Sequence, residues 1–364
     1  MDDINKTELK KKKRKLKKST KIILGIIIFL VVAGGVTAAV LLLPKKKTEP
    51  KKDDKTQEVE KQPAKVNIVD VNSKSRPYAV MINNIGAARP YQSGLQDAYI
   101  MYEFIVEGGI TRYLALFKDA NVNRIGTIRS SRHYYLDYVL ENDAIYVHWG
   151  GSEFAYADIS SLGIDNIDGM IYGGNYLWKD TSLPVSTEHT AYSGTDKINE
   201  AVDNLGYRKE TDKGLLLKYS PTSLDLAKDE TAKDATSIDI VYSNAIEDHY
   251  DYDEYLRVYK RSVNGEPHVD YMTGEQYTFK NIITYQVPNE TIAGDYKGRQ
   301  NLYNTGSGEG YYISEGKAIE ITWEKPSRGA KTVYKVKSTG EELVVNDGNT
   351  FIQVQPVGET LTIS

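Results

Sequence analysis

Apolar positions fall into three regimes along this chain: one long unbroken run, a stretch with no period, and a body of short runs separated by Gly, Asn and Asp. The unbroken run, residues 22–43, reads IILGIIIFLVVAGGVTAAVLLL and contains no charge. At ~1.5 Å per residue it reaches roughly 33 Å, enough to cross a bilayer core, and it predicts a single N-terminal transmembrane helix. The alternative is a cleavable signal peptide cut near Thr37 and Ala39. The apolar run continues past that pair to Leu43, beyond the ~7–15 residues of a usual signal core. Ten Lys/Arg precede the run, which orients the N-terminus inside and the body outside the cytoplasm. Residues 44–65 have no apolar period and predict a disordered linker.

Beyond residue 65 the period switches between two and about 3.6. RPYAVMINN (76–84), AYIMYEFIV (98–106) and residues 111–117 predict strands, the last two joined by a tight hairpin through Glu107-Gly108-Gly109. In that hairpin Glu103, Glu107 and Arg112 are expected to meet across the strands. Helices are predicted over 152–162 and 195–205, with a Gly- and Asp-rich loop over 164–183. Residues 210–234 turn charged and mark a domain boundary. From Ser237 onward the pattern is of hairpins, with turns at Asn264-Gly265 and Glu315-Gly316 and final strands over 332–336, 342–345 and 350–354. The expected fold is α+β, with layered sheets and helices in a first domain (66–215) and mostly antiparallel hairpins in a second (235–356). These follow a basic cytoplasmic tail (1–21), the span (22–43) and the linker (44–65).

The chemistry concentrates in residues 124–152, RIGTIRSSRHYYLDYVLENDAIYVHWGGS, which the pattern divides into strand, helix and strand. Ser130 or Ser131 is expected to cap a helix running to about Glu141, with Arg129 and Arg132 flanking its N-terminus. A helix N-terminus with two guanidinium groups favours a carboxylate or phosphate. The competing role for both arginines is to brace the fold through ion pairs with Glu103, Glu107 or Asp137. His148 ends the next strand beside Gly150-Gly151, where missing side chains let a ligand approach the backbone. His189 lies in a loop, STEHTAYSG. Either histidine can serve as acid, base or ligand, or as a packed structural residue. The ligand-binding candidates are thus Arg129, Ser130, Ser131, Arg132, His148, Gly150, Gly151, Glu103, Glu107, Arg112 and His189.

Composition narrows the classes. The total charge is −4; residues 1–21 carry +7 and residues 44–65 carry +3, so the remainder carries −14. An acidic body excludes nucleic acid as its partner, and the basic tail beside an apolar run suits membrane phosphate instead. The expected partners are the membrane, through residues 22–43, and an envelope polymer or protein. No cysteine occurs, which excludes disulfides, thiolate chemistry and a lipid-bearing cysteine. HExxH and GxSxG are both missing, and GSGEG (306–310) opens no helix, so neither a metal, a nucleophilic serine nor a nucleotide cofactor is implied. Tyrosine is the oddity, 28 against six Phe and three Trp; tyrosines suit ligand grooves as well as ordinary twisted sheets.

The segments RPYAVMINN, YEFIVEGGITRYLALF, IGTIRSSRHYYLDYV and YVHWGGS, with GSGEGYYISEGKAIEITWEK and NDGNTFIQVQP later, resemble the YerB-like family of bacterial proteins classed as lipoproteins, whose domain has no assigned function. The resemblance covers roughly residues 69–356. It implies an α+β fold in the envelope of Gram-positive bacteria and no established enzymatic activity. Two departures stand out: the chain has no cysteine to lipidate, and STEHTAYSG matches the family's histidine segment only loosely. No catalytic role is transferred, since the family has none assigned. The leading expectation is a membrane-anchored, single-pass extracytoplasmic binding or accessory module of the cell envelope. One alternative is an envelope hydrolase or transferase using Glu103 or Glu107 with His148. The other is a structural scaffold for an envelope complex.

Overall fold

A computed structural model describes residues 65–364. The expected tail, the span over 22–43 and nearly all of the linker therefore lie outside the described residues. Among the described residues no helix is long and apolar enough to cross a membrane.

The expected α+β fold, with helices layered on a first domain and hairpins in a second, is corrected by the topology. The chain builds a mixed, sheet-rich structure with few and short helices. Its first half contains β1 (Tyr78–Asn83), β2 (Ile100–Ile105), β3 (Thr111–Phe117), β4 (Ile125–Gly126), β5 (Ile145–His148), β6 (Asn166–Asp168), β7 (Trp178–Lys179) and β8 (Ala191–Ser193). Among these run α1 (Leu136–Glu141), α2 (Glu153–Ser161), α3 (Gly169–Tyr172) and, last, α4 (Thr195–Leu205). The second half supplies β9 (Ser237–Ser243), β10 (Ile246–Asp253), β11 (Val258–Val263), β12 (Asn281–Val287), β13 (Gly306–Ser314), β14 (Lys317–Lys325) and β15 (Thr350–Pro356).

One eleven-stranded sheet takes strands from both halves, with the central order β14-β13-β12-β15-β2-β3-β1-β5-β6. At its middle β15 runs parallel both to β12 and to β2, pairing Phe351 with Ile282 on one side and Met101 on the other. The second half is thus not simply antiparallel. All seven residues of β15 are buried, which is why its run TFIQVQP carries no clean alternation.

A six-stranded antiparallel sheet, with β9, β10 and β11 at its centre, covers one face of these middle strands. Strand β9 alternates buried and half-buried residues, and Tyr242 from its inner face donates to Gln353 of β15 at 2.6 Å. On the opposite face α1 packs Tyr138 against Tyr102 and Phe104, with ring centroids 4.8 and 4.5 Å apart. A buried pair from Lys325 of β14 to Glu141 of α1, at 2.7 Å, ties the helix to the second half.

Between the two sheets sits a fully buried ionic centre. Arg261 of β11 places Nη2 2.9 Å from Glu103 and 2.6 Å from Asp248. Its Nη1 donates to His268 Nδ1 at 2.7 Å, and His268 Nε2 in turn donates to Gln92. Burial and then the Asp248 charge push the Glu103 carboxyl well up, with the Arg261 charge opposing them. Burial and then the Arg261 charge push His268 well down, leaving it neutral.

Candidate functional site

The expected helix at Ser130 does not form. Residues 127–131 instead run as extended backbone across the ends of β1 and β5. Asn83 N bonds Thr127 O at 2.8 Å, Arg129 N bonds Met81 O at 2.9 Å, and Trp149 N bonds Arg129 O at 3.0 Å. The first helical turn begins only at His133, and no side chain caps it. Ser130 spends its hydroxyl on Trp149 O at 3.0 Å, while Ser131 bridges the Gly150-Gly151 segment through its backbone. The interstrand bonds available along β1 and β5 outweigh one short cap, so the arginines do not flank a helix start.

The real helix start in this region is that of α2. Ser152 caps it by accepting from Ala155 N at 3.1 Å, and the preceding Gly150-Gly151 turn leads into it from β5. Asp168, at the end of β6, holds that turn by accepting from Gly150 N at 2.7 Å, and its other oxygen accepts from Tyr156 at 2.8 Å. Gly150 has φ +76°, a conformation open to glycine, and a Cβ there would stand 3.4 Å from Met170.

A cavity of about 420 Å³ opens beside this turn. Its walls include Arg129, Ser130, Trp149, Gly150, Gly151 and Lys179, with Glu188 at the rim. The indole of Trp149 lies against backbone, because a Cβ on Gly169 would fall 2.3 Å from its ring, and Lys179 Nζ stands 4.9 Å from the ring centroid. Arg129 meets Glu188 at 2.8 Å, and that hydrogen bond followed by the guanidinium charge holds Glu188 below the usual carboxylate range. Two cations face one carboxylate here, beside the turn that leads into α2 and within an acidic body.

The other candidates separate from this cavity. Arg132 turns away to Glu107 at 2.5 Å, and Arg112 lies 3.8 Å from the same carboxylate while donating to Ser130 O at 2.5 Å. Burial favours the neutral Glu107, but the Arg132 hydrogen bond and both cations prevail and hold it low. Burial brings Arg112 down to about 10, with the Arg132 charge acting the same way. Glu107, Arg112 and Arg132 thus form a brace behind the Ser130 backbone. Glu103 is not part of it, correcting the expected hairpin cluster. The register pairs Glu103 with Tyr113 and Phe104 with Arg112, so Glu103 and Arg112 point to opposite faces of the sheet.

His148 is fully buried, with Nδ1 2.8 Å from Gly150 O and Nε2 3.2 Å from Asn166. Burial pushes its pKa down despite Asp168 at 3.8 Å, so it locks the glycine turn from beneath as a neutral ring. Among the described residues it has no hydrogen bond to Glu103 or Glu107, and the paired acid and base of a hydrolase are not assembled. His189 borders the cavity's rim, its Nδ1 3.0 Å from Asn83 and its Nε2 3.7 Å from Glu188. Burial and then the Arg129 charge push it down as well.

Trp149, Lys179, Glu188, Tyr156 and Asp168 were not singled out by sequence reasoning. Asp168 had a detectable signal, since Asp-Gly after a short β-prone run is a capping pattern, and its side chain does accept from Met170 N at 2.9 Å. Lys179 and Glu188 had none, being charged residues in loop-like sequence.

Comparison with known proteins covers nearly all of this architecture. The chain matches the family described as "Protein of unknown function (DUF3048) N-terminal domain" over residues 65–208 and the corresponding C-terminal domain over 238–352. The protein named "Putative lipoprotein YerB" from Bacillus subtilis (strain 168) is 30% identical over 298 residues, spanning 80% of this chain and 85% of the relative. A crystal structure of YerB protein from Bacillus subtilis matches with a TM-score of 0.68 at 28% identity, covering 79% of this chain and 94% of that one.

Proposed function

Because the chain belongs to the DUF3048 family and contains both of its domains in order, we propose that it is a membrane-associated, extracytoplasmic module that captures an anionic group of an envelope polymer or partner. The observation that supports this reading is the cavity at the Gly150-Gly151 turn, where Arg129 and Lys179 converge beside Trp149 and Tyr156. The two side chains bring positive charge to one wall, a combination suited to carboxylate or phosphate. The name of the Bacillus subtilis relative supports the address at the outer membrane face. Attachment by a lipidated cysteine is ruled out for these 364 residues, which contain no cysteine.

The address is tested by protease treatment of intact protoplasts, with the body expected to be digested. Its protection would overturn the proposed side of the membrane. Binding is tested by tryptophan fluorescence, since Trp149 forms part of the wall, with glycerol 3-phosphate and N-acetylmuramic acid as probes and N-acetylglucosamine as the neutral control. Arg129→Gln is expected to weaken binding of the anionic probes by about tenfold or more, as for loss of one charge-assisted bond. The Arg129 side chain is partly exposed and its partner Glu188 more so, so stability should change by less than ~1 kcal/mol. Equal binding of the neutral sugar, or no saturable binding at all, would sink the reading.

A further inference from the structure

The seat for an anion at Arg129 is filled from within the chain. Arg129 donates through Nη2 to the Glu188 carboxylate at 2.8 Å and through Nη1 to the Glu188 carbonyl oxygen at 3.2 Å. Both backbones are fixed. Arg129 bonds Met81 O through its N–H at 2.9 Å and accepts from Trp149 N at 3.0 Å. Glu188 lies in the single turn Thr187–His189, closed by His189 N to Ser186 O at 2.8 Å and by Thr190 Oγ1 to Thr187 O at 3.1 Å, and the buried His189 ring is tied to Asn83 at 3.0 Å. The Glu188 side chain is held far less firmly. It is 54% exposed, and among the described residues its carboxylate hydrogen-bonds to Arg129 alone, since His189 Nε2 stands 3.7 Å away.

An ion pair this exposed contributes little stability, so another anion can take the place of the Glu188 carboxylate at small cost. The bond from Nη1 to the Glu188 carbonyl does not depend on that carboxylate, and it keeps the guanidinium aimed when the side chain swings into solvent. Lys179, exposed on the same wall and without a carboxylate partner among the described residues, has no such occupant and is free to add its charge to the newcomer's side. We propose that Glu188 is an internal stand-in for the ligand's anionic group: its carboxylate closes the Arg129 seat in the free protein, and only a ligand that offers a carboxylate or phosphate in exchange opens it. The latch rests on the reading of the Gly150-Gly151 cavity as an anion site. It lowers the apparent affinity by the fraction of molecules whose seat is open, which for an exposed pair is a factor of about five.

The test is Glu188→Gln, titrated beside the parent with glycerol 3-phosphate and N-acetylmuramic acid and followed by tryptophan fluorescence. Glutamine keeps the shape and removes the charge, and at so exposed a position it leaves folding intact. Both probes are expected to bind about fivefold more tightly to the variant. The double variant Arg129→Gln, Glu188→Gln should bind no more tightly than Arg129→Gln alone, because the carboxylate then has no seat to close. A gain of the same size in that background means that Glu188 acts only by repulsion at a distance, which overturns the latch. Weaker binding by Glu188→Gln overturns it too, since Glu188 is then a contact of the ligand itself. Equal binding by the parent and Glu188→Gln overturns the latch and leaves the anion site standing, whereas no saturable binding by either overturns the anion site and the latch with it.

Discussion

Replacing Arg261 with methionine is expected to remove about 3–5 kcal/mol of stability, read as a lower midpoint in urea unfolding. Arg261, Glu103 and Asp248 are all inaccessible to solvent, and the guanidinium contacts both carboxyls. Its loss leaves those two carboxyls buried and facing each other without the cation that both contact. Glu103→Gln should cost less, about 1–3 kcal/mol, because the amide oxygen can still accept from Thr111 and Asn84 and Arg261 keeps Asp248, while the amide nitrogen takes the place of the oxygen that accepted from Arg261 Nη2. The pH dependence follows from the direction of the shift. The Glu103 pKa is raised on folding, so its stabilising contribution is complete below the unfolded value of about 4.3 and is lost as pH rises through the folded value. Glu103→Gln should flatten that decline. If Arg261→Met costs less than about 1 kcal/mol, or Glu103→Gln costs more than Arg261→Met, Arg261 is not the group that holds this centre together.

Phe351→Ala is the second large effect, expected at about 3–5 kcal/mol from lost burial and the cavity left behind. The ring sits 4.8 Å from Phe279, 5.7 Å from Tyr113 and 6.3 Å from Tyr250, so it joins aromatics from both sheets and both halves of the chain. Since β15 is paired on both edges, its weakening should loosen β2 and β12 together. Hydrogen exchange on the variant should therefore show amides of β1–β3 and of β12–β14 opening with the same reduced free energy. Two separate denaturation transitions, or slowed opening retained in one half only, would show that β15 does not couple them.

Much of the local structure was legible in the residues. Asn264-Gly265 and Glu315-Gly316 form their turns with positive φ at both positions, as the type I′ hairpin requires. Helix α4 spans Thr195–Leu205 and ends at Gly206 in the left-handed conformation, and Ser152 caps α2 where a serine before an apolar pattern predicts it. The resemblance read from RPYAVMINN and the later segments is borne out by the family match over both halves. Such features are decided within a few residues by backbone preference and side-chain period, and any window that contains them contains their cause.

What only the tertiary structure decided depends on partners remote in the chain. Ser130 looked like a cap until the ends of β1 and β5 supplied stronger backbone partners for its neighbours. Glu103 and Arg112 looked like a cross-strand pair until the register placed them on opposite faces, and Glu103 found Arg261 from the far half instead. Lys179 and Glu188 reached the cavity from sequence that carries no period, and β15 took its place between β12 and β2 through complementarity of buried surfaces on both of its edges. A run such as TFIQVQP is buried on both faces and so loses the alternation that would assign it a side. Its position follows from which strands still have unpaired edges and matching apolar faces, a property of the assembled sheet that no local stretch encodes.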